Sequence, residues 1–473
     1  PQMAQIYADK NNNLRKSVPS ADQSFIMSSV ISTEQFNPKS SIPSICQTCQ
    51  RESSSALLSL KSLPEIEELI RANASTDVEY ICDTCTRLFT RAQEELQKNP
   101  ELFSQSQKAL PTPLRLDTDD RFAGRGVTIA FLDSGFYSHP DLTLPRNRIL
   151  TFQNIVGEGQ LSLDQPDVAS WHGMMTSVVA AGNGYLSNGV YRGIAPESNL
   201  VLVKIGSSGR IPEANIRYGV EWVLQHHEQF GIRVINISAG GDNVESYLHN
   251  RLSRTVEEAV KKGLTVVCAA GNSGSQADHP VLPPASAPSV ITVGGLDDHN
   301  SLDRVRRGMY RSSYGPTCDG LQKPEVIAPG IWVAAPILPL TPTATEAEFY
   351  AALDVASDDE MTEIMEKYRG VDLSIDEARN LPGYLIRQLV SIKLREGNVI
   401  NGHYKFVDGT SFAAPIVSSI IACMLEANPC LTPQQVKRIL IDTAERLPHV
   451  AIDRQGWGVV VPRRAVEVAC NSR

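Results

Sequence analysis

From residue 127 onward, apolar residues arrive in short unbroken runs rather than alternating with polar ones. VTIAFL (Val127–Leu132), LVLVKI (Leu200–Ile205), VINIS (Val234–Ser238) and LTVVCAA (Leu264–Ala270) are compact and rich in β-branched side chains. A strand covered on both faces has no polar side to show, so such runs predict a parallel sheet sandwiched between helices. Stretches with helical spacing, Pro212–Gln229 and Ser246–Lys262, lie between the runs. The fold class expected is α/β with a doubly wound, mostly parallel sheet.

The pattern changes in two places. Between Pro336 and Tyr404 no strand is evident; Ala344–Val355, Asp358–Tyr368 and a third stretch from Pro382 through Leu394 are all helical in spacing. This predicts a helical insertion over 337–404, far longer than an ordinary connection. Ahead of the sheet, residues 1–40 are polar and aperiodic and predict a disordered N-terminal segment. Residues 41–99 read as a small four-cysteine module, with a helix around Glu65–Ala72 and another after its second CxxC. Residues 100–116 carry three prolines and read as a linker. The α/β domain fills 117–473.

Composition narrows the function. A chain of 473 residues with net charge −9 and no basic block is a poor match for a phosphate backbone, so no nucleic acid partner is expected. No apolar run approaches the length of a membrane span, and no apolar leader core opens the sequence. Nine cysteines, an odd number, fit a reducing compartment better than a disulfide framework, so a cytoplasmic location is expected.

Three residues sit where an α/β sheet delivers chemistry, at the carboxyl ends of its strands. Asp133 ends the run VTIAFL, before a Ser-Gly turn. His172 opens a helix-like stretch, HGMMTSVVAAG. Ser411 lies in DGTSFAAP, ahead of a helix from Phe412 to Leu425. A serine hydroxyl is a weak nucleophile, needing a base to take its proton and an acid to hold that base. A nucleophile at a helix start also places backbone N–H groups and the positive dipole end near a developing oxyanion. Asn272, in AAGNSG, is a candidate side-chain donor to the same oxygen. Taken singly, Asp133 reads more often as a cap, His172 as a surface or satisfied histidine and Asn272 as a turn residue, whereas the run GTSFAAP is hard to explain as packing alone.

Six segments in order, VTIAFLDSG, HGMMTSVVAAG, VINISAGG, VVCAAGNSG, KPEVIAPG and DGTSFAAP, resemble the subtilase (subtilisin-like) serine proteases. That resemblance implies a serine endopeptidase acting on protein or peptide substrates through an acyl-enzyme. Asp133 would orient the base, His172 act as base and Ser411 attack, with Asn272 and the Ser411 backbone N–H receiving the oxyanion. It further implies that Ser238, Ala239 and Gly240, with Ala270 and Gly271, wall a small apolar substrate pocket. One departure is visible: Met174-Met175 follows His-Gly where the family usually has Thr. No calcium-site motif is recognised. The insertion resembles one seen in some intracellular bacterial subtilases and reads as a lid, an exosite or a dimerisation element, or equally as a surface excursion without a role. The alternative function is a catalytically idle scaffold that binds protein partners.

Cys46 and Cys49 form one CxxC pair, Cys82 and Cys85 another, with 32 residues between the pairs. Four thiolates can close a tetrahedral site around Zn²⁺, and a structural zinc would let so small a segment fold without a large core. Two disulfides or a thiol-redox role are the competing readings.

Overall fold

A computed structural model describes residues 45–53, 55–74, 77–98, 109–157, 159–206 and 210–472. The expected disordered segment 1–40 lies outside these residues, as does most of the expected linker.

The apolar runs do form strands. β1 (Thr128–Asp133), β2 (Ile149–Asn154), β3 (Asn199–Lys204), β4 (Ile232–Ile237), β5 (Thr265–Ala269), β6 (Ile291–Asp297) and β7 (Val326–Pro329) build one sheet in the order β7-β6-β5-β4-β1-β3-β2. Every pairing along that path is parallel. The short strand Gly308–Met309 adds antiparallel to β6. Because the strand order reverses beside β1, residues that end β1, β4 and β5 face a common crevice.

Helices cover both faces. In chain order, α1 (Pro64–Asn73) and α2 (Asp83–Lys98) belong to the four-cysteine module; α3 (Ser170–Ala181), α4 (Glu213–Phe230) and α5 (Arg251–Lys261) follow in the α/β domain. One face of the sheet packs on α3 and on the 18-residue helix Thr410–Ala427, the other on α4 and α5. Thr410–Ala427 is long and apolar enough to cross a membrane, yet 83% of it is buried inside the protein, the signature of a core helix.

The insertion is helical as expected. Pro342–Val355, Asp358–Lys367, Leu373–Glu377 and Gly383–Glu396 enclose a hydrophobic cluster of their own, built on Phe349, Tyr350, Leu353, Met361, Met365 and Val390. They stand on an antiparallel stem, Val333–Pro336 against Tyr404–Val407. The Tyr404 hydroxyl donates to Asp141 Oδ2 at 2.6 Å, pinning the stem to the α/β domain.

The four-cysteine module closes on the same unit. Its core takes in Leu302 and Leu114 from outside the module. Arg51 pairs with Glu445, and Arg91 bonds Asp120. The end of the proline-rich stretch is anchored rather than loose: Leu114, Arg115 and Leu116 are buried, and Arg115 is paired with the equally buried Asp298. Pro111 precedes and Pro113 opens a buried helical turn, Thr112–Arg115.

Candidate active site

β1 ends at Asp133, and α3 begins at Ser170, so His172 lies in the first turn of a helix facing the strand end. His172 Nδ1 is 2.6 Å from Asp133 Oδ1. The same oxygen accepts the Ser134 N–H at 2.7 Å, and Asp133 Oδ2 accepts the Thr176 hydroxyl at 3.0 Å. Both carboxylate oxygens are therefore committed, and the ring is held with Nδ1 toward the acid and Nε2 toward the cleft. Burial opposes a charged His172, but the charge and hydrogen bond of Asp133 outweigh it and hold the imidazole above its ordinary pKa.

Gly173 cannot carry a side chain, since a Cβ there would meet the Gly135 carbonyl at 2.1 Å. Met174 and Met175, the departure noted in the sequence, are both buried in the core. Their thioether chains fill space between α3 and its neighbours, while Thr176 supplies a hydroxyl to Asp133 from the next turn.

Ser411 follows Gly409, whose φ of +140° suits glycine, and lies at the start of the helix Thr410–Ala427. The ring of its neighbour Phe412 lies 5.7 Å from that of His172. The Ser411 hydroxyl donates to the Ser238 carbonyl at 3.4 Å, and Ser238 Oγ donates to the Ser411 carbonyl at 2.9 Å. Asn272 Oδ1 accepts both the Thr410 N–H and the Thr410 hydroxyl at 3.0 Å, which leaves its Nδ2 as a free-facing donor group. A Cβ on Gly409 would stand 3.7 Å from both Asn272 Nδ2 and the Ser411 backbone N, so these two donors flank one point.

Beside them opens a cavity of about 220 Å³. All five expected substrate-binding residues line it: Ser238, Ala239 and Gly240 on one wall, Ala270 and Gly271 on the other. Ser411 and Asn272 line it as well. Leu282, Pro280 and Ser313, which were not foreseen, line it too, along with Ala269, Ser273 and Thr410. Ser313 carries no motif signal, but its Oγ accepts the Ser273 N–H at 3.2 Å and steadies the loop bearing Asn272.

The four cysteines also converge. Their sulfur atoms all lie within 4.8 Å of one another. Cys46 and Cys85 are 3.8 Å apart, Cys49 and Cys82 3.9 Å. Four Zn–S bonds of about 2.3 Å in a tetrahedron have edges of about 3.8 Å, so the donor set fits that ion in chemistry and in spacing. The Cys82 N–H points at Cys46 Sγ at 3.3 Å, the backbone hydrogen bond a thiolate ligand needs.

Residues 124–458 match the Subtilase family, well over half of the sequence. The chain belongs to the subtilase family. Serine protease AprX of Bacillus subtilis (strain 168) is 32% identical over 352 residues, covering 72% of this chain and 66% of that protein. Subtilisin-like protease 1 of Trichophyton rubrum is 33% identical over 218 residues, covering 45% of this chain and 36% of that one. The chain thus spans two thirds or less of the length of these relatives. Among solved structures, the CspB protease of Clostridium perfringens has the same fold, with a TM-score of 0.54 at 16% identity over 78% of this chain and 99% of that one.

Proposed function

We propose that this chain is a serine endopeptidase whose catalytic triad is Asp133, His172 and Ser411. The observation that carries the reading is the 2.6 Å Asp133–His172 bond, with the ring of Phe412, the neighbour of Ser411, 5.7 Å from that of His172 and with Ser411 and Asn272 lining one cavity. With Nδ1 bonded to the acid, the Nε2 lone pair takes the Ser411 proton as Oγ attacks the peptide carbonyl. Asn272 Nδ2 and the Ser411 N–H receive the developing oxyanion. Collapse breaks the C–N bond as His172 returns its proton to the departing amine, and water then frees the acyl-enzyme by the same path. The small residues Ala239, Gly240 and Ala270, with Leu282, favour an apolar side chain at the bond cleaved, on an extended protein or peptide segment.

Cys46, Cys49, Cys82 and Cys85 would hold a structural Zn²⁺, which would supply cross-linking rather than chemistry. The convergence of these thiols as a ligand set supports a cytoplasmic working environment.

A fluorophosphonate probe separates an active enzyme from an idle scaffold. Labelling of the wild type and none of Ser411→Ala is expected; folded wild type that fails to label would sink the peptidase reading. Metal analysis of protein purified without chelator should give one zinc per chain, and its absence removes the zinc assignment.

A further inference from the structure

Lys204 ends β3 as the direct register partner of Asp133 on β1. Its side chain is only 2% exposed. The ammonium donates to the Ser134 carbonyl at 2.7 Å and pairs with Asp167 Oδ2 at 3.3 Å. Those partners belong to two separate segments. Ser134 is the residue after Asp133, and Asp167 begins the turn that starts the His172 helix. Asp167 Oδ1 accepts the Ala169 N–H at 2.9 Å and the Ser170 hydroxyl at 3.0 Å. The Ser134 hydroxyl in turn donates to the Ala169 carbonyl at 2.7 Å. One buried cation therefore gathers the turn carrying the acid and the helix start carrying the base.

Packing alone does not call for a charge here. Burying an ammonium is costly, and replacing both members of a buried ion pair by apolar side chains is commonly neutral for stability. What an aliphatic chain cannot do is hold two backbone segments at fixed distance. Imidazole and carboxylate must stay within a few tenths of an ångström for the base to keep its orientation, and small displacements cost turnover steeply.

We propose that Lys204 is a positioning residue, which fixes the Asp133 turn against the His172 helix start and so sets the geometry of their hydrogen bond. This rests on the peptidase reading, and the test separates the two. Lys204→Met should lower the melting temperature, since Asp167 and the Ser134 carbonyl lose their partner, yet keep KM in the folded protein while kcat and the fluorophosphonate labelling rate of Ser411 fall about 10–100-fold. The far-downfield proton resonance of the His172–Asp133 bond, observable without turnover, should shift or broaden in the variant. Asp167→Asn should change both readouts in the same direction but less, and adding it to Lys204→Met should cost nothing further. A folded Lys204→Met that labels at the wild-type rate with the resonance unmoved overturns the proposal. Should Lys204→Met fail to fold, an Asp167→Asn protein with both readouts unchanged overturns it equally. Wild type that does not label overturns the peptidase reading instead, while the resonance still decides the role of Lys204.

Discussion

The α/β domain and the four-cysteine module hold their functional side chains by opposite means. In the α/β domain the core is complete without the site: β1, β4 and β5 are buried on both faces, and Asp133, Ser238 and Asn272 stand at or just past their ends. In the module the site is the core. Cys46, Cys49 and Cys85 belong to the same buried cluster as Leu60, Ile70 and Phe89. Chemistry placed at strand ends can be deleted while the fold stands, whereas chemistry placed in a small core cannot.

The sharpest break of this contrast is Ser411→Ala. Turnover should fall by about 10⁶, the scale measured for the nucleophile in subtilisin, with an unchanged melting curve. Asn272→Ala should lower kcat about 10²–10³-fold with little change in KM, since in the proposed mechanism the donor serves only the oxyanion. On the module side the balance reverses. Cys85→Ala, or chelation, should leave less than one zinc per chain and expose 45–98 to limited proteolysis. Leu302→Ala, from the α/β side of the shared core, should cost about 2–5 kcal/mol of module docking, read by the same proteolysis and by thermal melts. Thr176→Val is the mildest, removing one hydrogen bond to Asp133 and costing about tenfold in kcat.

The pH behaviour sharpens the same comparison. In the proposed mechanism His172 must be neutral to act as base, and Asp133 holds its pKa above the ordinary value of about 6.5, so the acid limb of kcat/KM should lie above that value. Because the folded-state pKa is raised, protonated His172 stabilises the fold fully below the unfolded value, and this contribution is lost as pH rises through the folded one. In Ser411→Ala the melting temperature should therefore lose this increment over that window, and Asp133→Asn should abolish the effect.

The sequence shows the α/β fold wherever its strands are central. β1, β3, β4 and β5 are continuous apolar runs because both faces are covered. β2 lies at the sheet edge with mostly half-buried residues, and its mixed sequence ILTFQN gave no such signal. β6 is interrupted by Gly294-Gly295; a Cβ on Gly295 would meet Tyr310 at 2.7 Å, so close packing there replaced the β-branched residues that announce a strand. Asp133, His172, Asn272 and Ser411 were legible through their motifs. Thr176, Ser313 and Lys204 were not, because a hydroxyl within a helix or a lysine ending a strand acquires meaning only from what lies across the fold.

The stem of the insertion carries one more consequence. Pro336 and Tyr404 are cross-strand partners, so the chain leaves and returns within a single residue pair. Everything between them packs chiefly on itself. A segment set on a hairpin tip in this way can be lengthened, exchanged or trimmed to a tight turn without re-routing the backbone that leads to Ser411. Lineages with the same catalytic sheet are thus free to differ in what they display at this tip.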